Sequence, residues 1–306
     1  MSAMKNQTKG VIYASVTAFF WGFLAIALKV AVQEVDPVTI VWFRFFIAFV
    51  ILLGWQFYRQ PASLKIFIKP PVLLVLAAIS LSWNYLGFML GIEYTTPSNA
   101  QLFIQFGPLT LALAGFLIFK EKLSRRQMIG FFVALAGFAF FYRDQLLAFF
   151  EGKEQYNLGV LFTLSGALAW AAYATMQKKL VTIHPGQMLN LFLFGFPAVV
   201  YLPFINLAPV LQLHWTWWLL ILFLGANTFI AYSSLAQALK YIEANKVSVI
   251  IFLNPIITFI TMGIFTALEV SWITHERFSL ATIFGAALVI SGAFLVVRKR
   301  KARKVK

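Results

Sequence analysis

The amino-acid sequence predicts an all-α integral membrane protein: ten transmembrane helices arranged as two inverted repeats of five. Three observations predict it. Of the 306 residues 61% are hydrophobic and only 11% charged, with a mean hydropathy of +0.84. A soluble domain carries about 25% charged residues and has too little interior to hide so much apolar surface. Runs near the ~20 apolar residues that cross a bilayer recur from residue 11 to residue 297. The second half of the chain, finally, repeats the first in register.

Charges, prolines and turn residues bound the spans. The first, 11–31, runs from Lys9 to the Asp36-Pro37 turn, and the second, 38–57, from that turn to Arg59. Pro70-Pro71 and Glu93 bracket the third, 71–91, while Pro97 and the Lys120-Glu121-Lys122 cluster bracket the fourth, 97–119. A short fifth span, 127–142, sits between Arg126 and Arg143. In the second half, 157–177 stops at Lys178-Lys179 and 187–207 starts after Pro185-Gly186. The eighth span, 215–239, opens on an interfacial belt of Trp215, Trp217 and Trp218; 246–267 and 278–297 complete the set. The organisation is then an N-terminal segment 1–9, a first repeat 10–142, a linker 143–156, a second repeat 157–297 and a basic tail 298–306.

The net charge of +15 would suggest a nucleic-acid partner in a soluble chain, but its placement argues for topology. Counting loops and ends, 20 of the 25 basic residues fall on the side of the two termini, four on the other, and Arg44 inside a span. That bias puts both termini in the cytoplasm of a plasma (bacterial inner) membrane, with 143–156 and 268–277 outside. Cysteine is absent, and His184, His214 and His275 are scattered between spans without metal-ligand spacing.

The repeat is specific. Gly10-Val11, Trp21 and Lys29 recur as Gly159-Val160, Trp170 and Lys178 at an offset of 149. Tyr85, Tyr94 and Pro108 recur as Tyr232, Tyr241 and Pro255 at 147, and Glu121 matches Glu269 at 148. Gly130 and Gly137 match Gly285 and Gly292, and the second copy carries a seven-residue insertion at about 272–278. Five spans per copy is an odd number, so the second copy enters the membrane the other way up. Inverted repeats of this kind underlie alternating access, with a site near the midplane between them.

The stretch Gly91 to Ala100, then Phe106-Gly107-Pro108-Leu109, Lys120-Glu121-Lys122 and the two glycines of the fifth span, resembles the drug/metabolite transporter superfamily, EamA-type branch. Leu239 to Ala244, Asn254-Pro255 and Glu269 repeat the pattern, and Trp21-Gly22 is similar to the family's first-span Trp-Gly. The second copy has Trp170-Ala171 instead. The resemblance covers residues 10–297 and implies this fold and a small-metabolite transporter, with export the favoured direction.

The sequence holds no zinc-protease motif, no phosphate-binding loop and no nucleophile elbow, so neither an enzyme nor a cofactor is expected. All ten acids fall at span ends or in loops, whereas proton-driven carriers place one deep in a helix; a facilitator or exchanger is expected. Arg44 lies about 9 Å into the second span. It either captures a substrate anion with its planar fork or snorkels to the headgroups. Asn84, Gln101, Gln105, Asn227 and Asn254 are mid-span amides that line a cavity or bond between helices. Tyr85, Tyr232, Trp21 and Trp170 are candidate aromatic walls, with core packing as the alternative. Pro108 and Pro255 each interrupt a span as a hinge or a polar contact. The expected partners are a small molecule, best an amino acid or related carboxylate, and membrane lipid. Import of another metabolite, a channel and a membrane-embedded enzyme are the competing readings.

Overall fold

A computed structural model describes residues 2–95, 97–122, 124–141, 143, 154–270 and 279–297. The linker, the insertion at 272–278 and the basic tail therefore lie largely or wholly outside the described residues. Among those described, every regular element is helical.

In the first half, α1 (Ser2–Ala31) is followed by α2 (Pro37–Arg59) and α3 (Val72–Tyr94). Asp36 caps α2 by accepting the Thr39 N–H at 2.9 Å, and Pro37 at the first turn loses no bond there. The expected fourth span is broken into α4 (Pro97–Ile104) and α5 (Phe106–Leu117), and α6 (Arg125–Phe141) closes the copy. The second half runs α7 (Glu154–Leu180), α8 (Gly186–Val200), the one-turn α9 (Leu207–Val210) and α10 (Trp215–Tyr241). It then breaks its fourth span in the same way, into α11 (Ala244–Ile251) and α12 (Asn254–Ala267), and ends on α13 (Leu280–Val297).

The two breaks have one cause. Pro108 and Pro255 have no N–H for the carbonyls of Ile104 and Ile251 four residues back, and their rings crowd those carbonyls. Both broken helices stop at a residue in the left-handed region, Lys120 (φ 52°) in the first copy and Glu269 (φ 51°) in the second.

Among the described residues eight helical segments are long and apolar enough to cross a membrane. The fifth and tenth expected spans are shorter, 17 residues for α6 and 18 for α13. These two pack on each other through glycine. A Cβ on Gly137 would lie 2.6 Å from the Val289 nitrogen, and one on Gly292 would lie 2.5 Å from that of Ala134; any side chain there would push the helices apart. Elsewhere α1 lies along α10, α3 along α7 and α2 against α8. These contacts leave a polar space where the two broken helices meet α1 and α7.

Candidate functional site

The space between the copies is a cavity of about 60 Å³, room for a few waters. Arg44 on α2 projects into it, 3% exposed, so it turns into the protein rather than out to headgroups. Its Nε donates to Thr228 Oγ1 at 3.3 Å, and the guanidinium carbon lies 4.1 Å from the Tyr85 ring centroid. Tyr85 donates its own hydroxyl to the same Thr228 oxygen at 3.3 Å, and Thr228 donates onward to the Leu224 carbonyl at 3.1 Å. Stacking on a tyrosine face stabilises a desolvated cation by about 2 kcal/mol, well below the several kcal/mol that burying it costs. Among the described residues no carboxylate pairs with Arg44, and none lines the cavity.

Two of the amides, Gln105 and Asn254, sit at the helix breaks. Gln105 occupies the α4–α5 break and donates through Nε2 to Asn254 Oδ1 at 2.9 Å, joining the two breaks directly. Gln101 donates to Thr258 Oγ1 at 3.4 Å, and Asn84 to the Gly166 carbonyl at 3.0 Å. All four amides line the cavity and bond between helices at once. Gln105 Oε1 and Trp170 Nε1 are left buried without a protein partner. The aromatic walls touch: Trp21 meets Trp170 edge-on at 5.7 Å and Tyr232 at 5.3 Å, and Tyr232 meets Tyr85 at 5.6 Å.

Nine of the ten expected binding residues therefore share one cavity wall, together with Pro108. Asn227 does not. It donates to the Phe20 carbonyl at 2.7 Å and ties α10 to α1, because a buried amide facing a neighbouring helix takes the nearest backbone acceptor. Pro255 stands behind Asn254, off the wall. Sequence reasoning missed Thr228, although it lies one helical turn from Tyr232 and so shares its face. It also missed the lining residues Leu24 and Phe88, which carry no signal that separates them from core.

Among the described residues the structure is all-helical with membrane-long apolar segments, which marks an integral membrane protein. The EamA-like transporter family matches residues 8–143 and 157–298, one match in each half, and the chain belongs to that family. It is 34% identical over 295 residues to an uncharacterized transporter of Haemophilus influenzae, covering 95% of this chain and 96% of that one. It is 30% identical to the uncharacterized inner membrane transporter YhbE of Escherichia coli over 95% and 92% of the two chains. A solved crystal structure shares the fold with a TM-score of 0.74 at 17% identity, over 95% of this chain and 97% of the other.

Proposed function

We propose that the chain is a ten-span carrier of two inverted repeats, with both termini cytoplasmic. It moves a small carboxylate-bearing metabolite, an amino acid or a relative, by alternating access, with export favoured. The observation that carries the substrate class is Arg44, a cation buried in the cavity without a counter-charge among the described residues; a cargo anion supplies it. The remaining groups support this reading: amides and an unpaired indole N–H to orient polar atoms, and an aromatic wall for an apolar portion. The present cavity is too small for a metabolite, so the walls must part on loading, as two proline-broken helices allow. Packing of α1 on α10 and of α7 on α3 sets the first span of each copy against the third span of the other, a reciprocal exchange that supports two repeats related by a two-fold, and the 20-to-4 charge bias supports the orientation.

The test is a binding series on purified protein. Arg44→Lys keeps the charge but loses the bidentate fork, and Arg44→Gln loses both. A charge-assisted hydrogen bond contributes ~1.5–3 kcal/mol, roughly 10- to 150-fold in affinity. Affinity for carboxylates falls stepwise from Arg to Lys to Gln, while analogues lacking the carboxylate bind alike in all three. Unchanged affinity in Arg44→Gln removes Arg44 from the site.

A further inference from the structure

Buried polar atoms without a protein partner form a line that leaves the cavity toward the face bearing the basic clusters. Trp170, Tyr173 and Gln177 follow one another at three- and four-residue spacing on α7, hence on one face, and descend about 10 Å over those seven residues. The Trp170 Nε1, the Tyr173 hydroxyl and the Gln177 Oε1 are all unpaired, with Tyr173 and Gln177 fully buried. Asn190 joins the line, accepting from Gln177 Nε2 at 2.9 Å and donating to the Tyr232 carbonyl at 3.1 Å. Asn245, whose backbone N–H reaches the Glu121 carboxylate that pairs with Lys178, is 1% exposed and has neither side-chain polar atom paired.

One carboxylate holds this end of the line. Glu121, just past the end of α5, accepts the N–H groups of Ala244 at 2.7 Å and Asn245 at 3.2 Å, the first residues of α11. It also pairs with Lys178 at 3.2 Å, and Lys178 donates to the Ile242 carbonyl at 3.0 Å. A single side chain of the first copy thereby holds two elements of the second. Four N–H groups at a helix start need acceptors, and its positive end favours an anion. Releasing Glu121 is therefore tolerable only where water takes its place.

An unpaired buried polar atom is destabilising and in a native fold needs a reason. The fold does not demand polarity on this face: Leu24 and Leu28 stand at the repeat-equivalent positions of α1. We infer that the Tyr173–Gln177–Asn190–Asn245 line is the wall of the cargo route between the Arg44 cavity and the basic face, and that Glu121 with Lys178 is the latch that shuts it. This rests on the reading of the Arg44 cavity as the cargo site. When the latch opens, the wall is wetted and offers hydrogen bonds to a polar molecule in transit.

The chain has no cysteine, so a single Gln177→Cys or Tyr173→Cys reports access directly. The measurement is the alkylation rate by a small water-soluble maleimide on purified full-length protein, with Leu28→Cys as the control position. Adding Glu121→Gln or, separately, Lys178→Met raises the rate at position 177 or 173 about tenfold or more, the change one lost charge-assisted bond produces. The rate at position 28 stays constant. Unchanged labelling at both reporter positions in both latch variants overturns the proposal. A parallel rise at position 28 also overturns it, since that marks general loosening. The readout uses no cargo, so it fails or stands separately from the Arg44 binding series.

Discussion

Helices α1 and α7 run the same pattern as far as Trp21 and Trp170, and then differ. Beyond Trp21 the inward face continues as Leu24 and Leu28, 7% and 0% exposed; beyond Trp170 it continues as Tyr173 and Gln177, both 0% exposed. The flanking lysines differ too. Lys178 is tied to Glu121, whereas among the described residues Lys29 has no ion-pair partner. Glu269 takes the left-handed stop that Lys120 takes in the first copy, and its side chain is exposed. Duplication preserved the backbone plan and the tryptophans. What diverged is how each half of the space between the copies is sealed: one by apolar packing, the other by charge over a polar lining.

That comparison predicts crossed sensitivities. On the apolar side, Leu28→Ala leaves a cavity and lowers stability by about 3 kcal/mol, within the 2–5 observed for such truncations. On the other side, Lys178→Met removes one partner of a largely buried pair and costs about 3 kcal/mol. The reciprocal lysine change, Lys29→Met, stays within about 0.5 kcal/mol. Thermal or denaturant unfolding of the detergent-solubilised protein measures all three. Equal losses for Lys29→Met and Lys178→Met would mean the two ends are sealed alike, and the comparison would fail.

A smaller effect separates lining from ballast. Tyr173→Phe deletes only an unpaired hydroxyl, and removing an unsatisfied buried group is neutral or stabilising, by at most about 1–3 kcal/mol. If that hydroxyl serves cargo, melting temperature holds or rises while the transport rate in proteoliposomes falls severalfold. An unchanged rate assigns Tyr173 to packing. Its repeat partner already tells part of this: Leu24 lines the cavity without offering any polar atom.

Much of this arrangement was legible in the sequence, and the reason is the solvent. In a bilayer an amide or arginine inside a span has few places to go, so Arg44, Asn84, Gln101, Gln105 and Asn254 announced a shared polar interior by position alone. Paired glycines marked the fifth and tenth spans as repeat partners, but only the structure shows that these two helices pack on each other. Asn227 looked identical to the others and was not, because composition cannot tell whether a carbonyl such as that of Phe20 lies within reach. Glu121 was hidden for a different reason. An acid at a span end reads as a loop residue, and only the tertiary fold brings the start of α11, more than a hundred residues later, to its carboxylate. The short-range acid at that helix, Glu243, stands at the cap position, yet its side chain makes no capping bond.

Glu243 gives the smallest prediction, and it sharpens the contrast between latch and bystander at the same helix start. Its carboxylate is about half exposed and bound to Lys246 at 2.7–2.8 Å. Partial burial pushes the carboxyl up, but the Lys246 hydrogen bond and charge outweigh it and hold it below the usual carboxylate range. A lowered folded-state value means the group contributes stability above its unfolded value of about 4.3 and loses it as pH falls through the folded one. In this arrangement the carboxylate is ionised at neutral pH, and it is expected to carry no proton in transport. Glu243→Gln keeps an acceptor for the largely buried Lys246 and so lowers stability at pH 7 by only about 1 kcal/mol. That deficit shrinks in acid, and the pH profile of transport between 6 and 8 is unaltered. Proteoliposomes with a collapsed proton gradient keep transporting as long as the substrate gradient remains. Substrate-induced proton movement that disappears in Glu243→Gln would instead make this residue the proton carrier and end the reading of a proton-independent facilitator or exchanger.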